Sequence, residues 1–165
     1  MFFQDHFPAL PTRPDPKLAT RLISVYNDEL NRALAYTYQH LLTEELDCES
    51  SALFLSLAKR EMDHVHTLGR LIRDLGGDPC VSLRLRTPRV ELSEDAPGRI
   101  LPAVKRMLRL DMQSVAQGIT NLETFSAAAE GNEGAVTVLR KIIGEEQIHY
   151  EALLRQSEEI QQEEG

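Results

Sequence analysis

The sequence is short of positive charge and has no long apolar run, and each shortage excludes a class of partner. Lys and Arg number 18 against 26 Asp and Glu, which gives a net charge of −8. A chain with this balance lacks the positive surface that non-specific nucleic-acid binding requires. No apolar stretch approaches the roughly 20 residues that a membrane-spanning helix needs. We therefore expect neither a nucleic-acid partner nor a membrane partner.

Cysteine is also scarce, which bears on the compartment. Cys48 and Cys80 do not form a Cys-x-x-Cys pair, so they do not indicate a zinc or redox site. Two reduced thiols are the default in the cytoplasm. Residues 1–8 do not combine a basic stretch with an apolar core, and so do not read as a signal peptide. The expected location is the cytoplasm.

Helical periodicity dominates the rest of the chain, which at 165 residues is long enough for one domain with a substantial core. Apolar residues recur at steps of three and four in four segments, as in amphipathic helices. The predicted helices cover about residues 15–46, 51–75, 97–130 and 135–161. Glycine-rich turns end the second and third of them.

The connection over residues 80–96 is too long for a simple turn. It has the right length to cross the bundle lengthwise, and we expect the third helix to start where the first did. The predicted fold is an all-α, antiparallel four-helix bundle with one long crossover between helices 2 and 3. Residues 1–14 are expected to form an N-terminal arm, and residues 15–165 the bundle domain.

Two of the predicted helices carry the same motif, Glu-x-x-His. It occurs as Glu61-Met62-Asp63-His64 and again as Glu146-Gln147-Ile148-His149. Residues three positions apart share a helix face, so each motif presents a carboxylate and an imidazole together. Four-helix bundles build metal sites in this way, with a Glu from each of two helices and Glu-x-x-His from the other two.

Glu29 places a further carboxylate in the apolar stripe of the first helix. Burial of all these groups would cost several kcal/mol if nothing compensated their charge. A bound cation supplies that compensation. The predicted metal ligands are Glu29, Glu61, His64, Glu146 and His149. Mixed carboxylate and imidazole ligands suit iron or manganese better than zinc or calcium. A purely hydrogen-bonded network is the alternative.

These motifs resemble those of the bacterioferritins and rubrerythrin-like proteins, which belong to the ferritin-like superfamily. The resemblance covers roughly residues 18 to 155 and is most specific at the two Glu-x-x-His motifs. It also includes the segments Asp28-Glu29-Leu30, Met107-Leu108-Arg109-Leu110-Asp111, Gly118-Ile119-Thr120-Asn121-Leu122 and Glu145-Glu146. It implies a ferritin-like bundle that oxidises Fe(II) with dioxygen or peroxide.

The resemblance also implies roles for individual residues. Glu61 and Glu146 would bridge two iron ions, and His64 and His149 would each hold one of them. Glu29 would be a terminal ligand on the His64 side. Tyr36 would donate a hydrogen bond near the ligands, and Asp111 is the nearest inward carboxylate on the third helix.

The third-helix Glu of the family has no counterpart in this sequence. By alignment its position falls on Val115. The two halves of the chain resemble each other, so the spacing between Glu29 and Glu61 can be repeated in the second half. The residue that precedes Glu146 by the same spacing is Ser114 instead. Either way a terminal ligand is missing, so we expect an exchangeable water on the His149 side. The site would hold two ions with an open position, or only one.

Two further features bear on assembly and haem. Only 16 residues follow His149, which leaves little chain for the short fifth helix that closes bacterioferritin shells. A homodimer, or a larger homo-oligomer, is the expected assembly. Met62 corresponds to the Met that ligates a haem at the bacterioferritin dimer interface, and simple packing is the alternative role.

Three functions remain open from the sequence. The first is an oxidoreductase with a di-iron or partly occupied site that oxidises Fe(II) or reduces peroxide. The second is a protein that binds or stores iron or haem without turnover. The third is a structural bundle whose metal site has been lost.

Overall fold

The computed structural model describes residues 12–82 and 100–163, and these residues form four α-helices and no strand. The helices are α1 (Pro16–Thr43), α2 (Cys48–Asp74), α3 (Ile100–Ala128) and α4 (Glu133–Glu163). The all-α prediction is confirmed, and most helix ends lie within three residues of their predicted positions. None of the described helices is both long and apolar enough to cross a membrane. The arm predicted over residues 1–14 lies mostly outside the described residues.

Local sequence signals set the helix ends. The side chain of Asp15 accepts a hydrogen bond from the backbone N–H of Leu18 at 3.0 Å and caps α1, and Pro16 follows at a position where its missing N–H costs nothing. Asp47 caps α2 in the same way. Gly76 and Gly131 follow α2 and α3 with φ of 90° and 88°, a conformation that glycine adopts without steric strain.

Each helix packs against two neighbours. α1 lies beside α2 and α3, and α4 also lies beside α2 and α3. Side-chain contacts show that neighbours run antiparallel: Gln39 on α1 bonds Asp111 on α3, whereas Arg32, earlier in α1, meets Gly118, later in α3. α2 and α3 are therefore diagonal partners that run in the same direction.

This arrangement corrects one expectation. Because α3 is antiparallel to α1, it starts at the end of the bundle opposite to the start of α1. At the start of α1, Asp15 bonds Leu75 through the backbone, and Arg13 exchanges two hydrogen bonds with Asn132 between α3 and α4. The length of the connection was interpreted correctly, but α2 ends beside the start of α1, so a lengthwise crossing from there leads to the opposite end of the bundle. Most of that connection, residues 83–99, lies outside the described residues.

The core consists of two apolar clusters with a polar layer between them. One cluster lies toward the start of α1 and includes Leu22, Leu68 and Leu139. The other lies toward the end of α1 and includes Tyr36, Phe54 and Leu108. The charged residues of the two Glu-x-x-His motifs are buried in the layer that separates them. The fold thus places a set of ionisable groups where water is excluded on both sides.

Candidate metal centre

The two Glu-x-x-His motifs meet in the middle of the bundle. Because α2 and α4 are antiparallel neighbours, the inward faces of the motifs oppose each other. Glu61, His64, Glu146 and His149 are all buried, and each offers a ligand atom within 4.8 Å of the other three. The structure therefore brings together four of the five predicted ligands, and their role as metal ligands stays a prediction.

Both histidines direct the same ring atom into the cluster. Nδ1 of His64 lies 2.9 Å from Oε1 of Glu146 and 3.3 Å from Oε2 of Glu29. Nδ1 of His149 lies 3.1 Å from Oε1 of Glu61 and 3.4 Å from Oε1 of Glu146. The two rings stack with their centroids 5.3 Å apart. Two imidazoles that face shared carboxylates have the donor set of a metal site.

Arg32 lies inside the cluster, where the sequence analysis did not place it. Its Nη2 is 2.6 Å from Oε1 of Glu29, and its Nε is 3.2 Å from Oε2 of Glu61. Nη2 also approaches Oε2 of Glu146 at 3.7 Å. Only 6% of Arg32 is exposed. One guanidinium therefore contacts both carboxylates of the cluster and, beside them, the buried carboxylate of Glu29.

A glycine on α3 makes room for this guanidinium. A Cβ atom at Gly118 would lie 2.9 Å from Nη1 of Arg32 and 3.2 Å from Nη2. Nitrogen and carbon atoms that are not bonded rarely approach so closely, so any larger residue would displace the guanidinium. The segment around Gly118 resembled the family's third helix, but its link to Arg32 needed the three-dimensional structure.

Glu145 holds the outer nitrogen of one histidine. Its Oε2 lies 2.8 Å from Nε2 of His64, and Lys141 approaches its other oxygen at 3.8 Å. A histidine that ligates a metal commonly donates its second N–H to a carboxylate, which fixes the ring and its tautomer. The pair Glu145-Glu146 was the sequence signal that could have identified this contact, but only Glu146 was assigned a role.

The surrounding acids keep both imidazoles protonated in the metal-free protein. Burial lowers the pKa of His64, but hydrogen bonds to Glu145, Glu146 and Glu29 outweigh burial and raise it to about 12. Burial likewise opposes protonation of His149, whose contacts with Glu146 and Glu61 raise its pKa to about 9. A metal ion bound by these nitrogens must displace their protons.

The pKa values of the three buried Glu side chains shift in different directions, although the groups share their neighbours. Burial would raise the pKa of Glu29 and of Glu146, but Arg32 and the histidines more than offset it and lower both values. Burial dominates at Glu61 and raises its pKa to about 8. Glu29 and Glu146 are therefore ionised at neutral pH, whereas Glu61 holds its proton more tightly until a cation replaces it.

A comparison with known protein families adds to this geometry. Residues 20–162 match the family described as the ferritin-like domain. The chain belongs to the ferritin-like family. A comparison with curated proteins gave no match. The match confirms the resemblance at the level of the ferritin-like superfamily, and the bacterioferritin or rubrerythrin-like subtype stays a prediction.

Among the described residues, α3 contributes no residue to the four-residue cluster. Of the two positions to which the sequence assigned the third-helix Glu, Val115 is fully buried and faces the core, whereas Ser114 is exposed. Asp111 is buried one turn away, where Oδ1 accepts a hydrogen bond from Gln39 at 3.1 Å. Burial raises the pKa of Asp111 to about 7. Asp111 is not part of the four-residue cluster.

Three other predicted roles stay predictions. Glu29 lies in the site, but Arg32 binds one of its oxygens, so only the other faces His64. Tyr36 is buried and stacks on Phe54, and its hydroxyl has no hydrogen-bond partner among the described residues. Met62 is 48% exposed on the outer face of α2, as expected for a residue next to the inward Glu61.

The residues present fit a metal ion. Both oxygens of Glu146 are buried and contact charged groups, yet neither has an aligned hydrogen bond in the described structure. The lone pairs of these oxygens are therefore available to a cation at the centre of the cluster, and both Nδ1 atoms can join them once the cation displaces their protons. Hard carboxylate oxygens and imidazole nitrogens are suitable donors for iron or manganese.

Proposed function

We propose that this ferritin-like protein binds Fe(II) in the core of its bundle through Glu61, His64, Glu146 and His149. The observation that supports the proposal most is the convergence of four buried ligand atoms within 4.8 Å, two of them from each Glu-x-x-His motif. Four ionisable groups in an apolar core need a function or a compensating charge. A divalent cation supplies the charge, and the ligand types favour iron or manganese.

We further propose that bound Fe(II) is oxidised by dioxygen or peroxide, as the family resemblance implies. Each Fe(II) loses one electron, and two such ions with two protons reduce one peroxide to two waters. The buried carboxylates favour the more highly charged product ion. The protein's part is to hold the ion away from bulk water, and Glu145 would fix the ring of His64 while the ion changes charge.

Retention of iron without turnover is the second candidate, and Arg32 favours it. The guanidinium already contacts three carboxylates of the site and adds a fixed positive charge. A positive charge beside the ion makes the Fe(III) state less favourable and slows the loss of an electron. The two candidates share one binding site and differ only in the rate of oxidation.

The discriminating experiment follows Fe(II) loss and Fe(III) formation after addition of peroxide or dioxygen to iron-loaded protein. Oxidation faster than in buffer alone, abolished by His149→Ala, supports the enzyme. Tight retention of iron at the buffer rate supports the binder. His66→Ala is the matched control, because His66 is an exposed histidine on α2 and should leave both properties unchanged.

Self-association and haem binding are proposals that rest on the resemblance. We expect a homodimer or larger homo-oligomer. Met62 and Ile148 are 48% and 64% exposed, so both are accessible to a second copy or a haem. The mass in solution tests the first expectation. Absorbance of haem-loaded protein, compared with Met62→Leu, tests the second.

A further inference from the structure

We propose that the guanidinium of Arg32 takes the place of a second metal ion, so that each chain holds one iron rather than two. This inference rests on the proposed function and specifies its stoichiometry. It is carried by the position of Arg32, by the shape of α3 around it, and by the charge of the groups that surround it.

The position of the guanidinium is that of a bridging cation. It bonds Glu29 at 2.6 Å and Glu61 at 3.2 Å, and it lies 3.7 Å from Glu146. In a two-ion bundle site, carboxylates from several helices converge on both ions. Here the carboxylates of α1, α2 and α4 converge on a side chain of the protein itself. Arg32 is buried, so water does not screen these contacts.

The residues of α3 that face the site are consistent with a guanidinium in place of the second ion. Val115 has no ligand atom and is fully buried at the position where the missing carboxylate would project. One turn further along, Gly118 leaves the space that the guanidinium fills, since a Cβ there would lie 2.9 Å from Nη1. α3 thus lacks a ligand for a second ion and accommodates the group that replaces it.

The charge of the site leads to the same stoichiometry. The usual four-helix design supplies four Glu carboxylates, whose charge balances two divalent ions. This site has three, Glu29, Glu61 and Glu146, together with the positive charge of Arg32. With neutral histidines the sum is two negative charges, which one divalent ion neutralises. A second ion would leave two uncompensated positive charges in the core, which is costly.

A one-ion site has a chemical consequence. A single Fe(II) supplies one electron, whereas reduction of peroxide to water takes two. Two Fe(II) ions must then react in succession, each giving one electron, and two protons complete the two waters. The inference therefore predicts that oxidation in the wild-type protein is slow relative to a variant that holds two ions.

Iron per chain, measured by elemental analysis after anaerobic loading with Fe(II) and desalting, tests the inference. We expect one iron in the wild type and one in Arg32→Lys, which keeps the positive charge. We expect two in the double variant Arg32→Met and Val115→Glu, which removes the cation and restores the carboxylate. Arg106→Met is the control, because Arg106 is an exposed arginine on α3.

The outcomes separate this inference from the proposed function. Two irons in the wild type would overturn the inference and leave the proposed function standing. One iron in the double variant, with its fold confirmed by circular dichroism, would show that Arg32 is not what excludes the second ion. No iron in the wild type would overturn the proposed function itself. If the double variant does not fold, Arg32→Met alone replaces it: we expect more than one iron there, and a count of one would overturn the inference.

Discussion

Arg32 on α1 and Gly118 on α3 are fitted to each other, since a Cβ atom at position 118 would lie 2.9 Å from Nη1 of Arg32. The end of an arginine side chain usually moves aside at little cost. This one is fixed by the carboxylates of Glu29 and Glu61. The contact therefore links the packing of α1 on α3 to the electrostatics of the buried site.

Gly118→Ala should lower the free energy of unfolding by about 1–3 kcal/mol, as overpacking of a filled core does. The added methyl group forces the guanidinium away from its carboxylates. Denaturation by urea measures the change. In an Arg32→Ala background the same substitution should cost little, and a cost that persisted there would show that the two residues do not interact.

Gly144→Ala is the matched control for that prediction. Gly144 lies within α4, and a Cβ atom there would have no neighbour within 4 Å. Alanine is favoured over glycine inside a helix by roughly 0.5–1 kcal/mol, so this variant should be slightly more stable than the wild type. A loss of stability equal to that of Gly118→Ala would contradict the account of the Arg32 contact.

Glu145→Ala should weaken metal binding by about 10–100-fold, the usual effect of losing the carboxylate behind a ligating histidine. His64 would lose the 2.8 Å contact that fixes its ring. Glu145→Gln should lose less, because the amide oxygen still accepts a hydrogen bond from Nε2. Competition with a chromogenic chelator measures the affinity. Glu151→Ala, an exposed acid on the same helix, is the control, and an equal loss there would refute the role of Glu145.

Asp111 gives a prediction about stability and pH. Burial raises its pKa in the folded protein to about 7, from an ordinary value of 3.8. A carboxyl group that binds its proton more tightly when folded stabilises the fold at low pH, and that stabilisation is lost as the pH rises through about 7. Asp111→Asn removes this dependence while its amide oxygen can still accept from Gln39.

The variant should therefore gain stability relative to the wild type as the pH rises from 4 to 8, by about 2–4 kcal/mol in total. Urea denaturation at several pH values, in metal-free protein, measures the difference. Glu123→Gln changes an exposed acid on the same helix and should show no such trend. A difference that stayed constant with pH would mean that Asp111 is ionised throughout this range.

The sequence was sufficient to predict the bundle because the helices bury continuous apolar stripes. Leu57, Glu61, His64 and Leu68 lie on one stripe, and the structure buries all four. The periodicity that predicts the helix also identifies which polar residues face inward. The inward position of the candidate ligands could be predicted for this reason, since Glu and His at inward positions are conspicuous.

Arg32 could not be predicted in the same way. Arginine is mostly exposed in folded proteins, so a single arginine three positions after Glu29 indicates a surface residue. Its burial depends on carboxylates from three helices and on the space beside Gly118 on α3. These features come together only in the folded bundle. The starting end of α3 was wrong for a different reason, because α2 ends beside the start of α1 and a lengthwise crossing from there leads to the opposite end.

The most direct test of the account is a crystal structure of Fe(II)-loaded protein with anomalous diffraction measured at the iron absorption edge. We predict one anomalous peak per chain, within bonding distance of Glu61, His64, Glu146 and His149 and beside the guanidinium of Arg32. Iron bound only at the protein surface, with the core cluster empty of anomalous signal, would contradict the account.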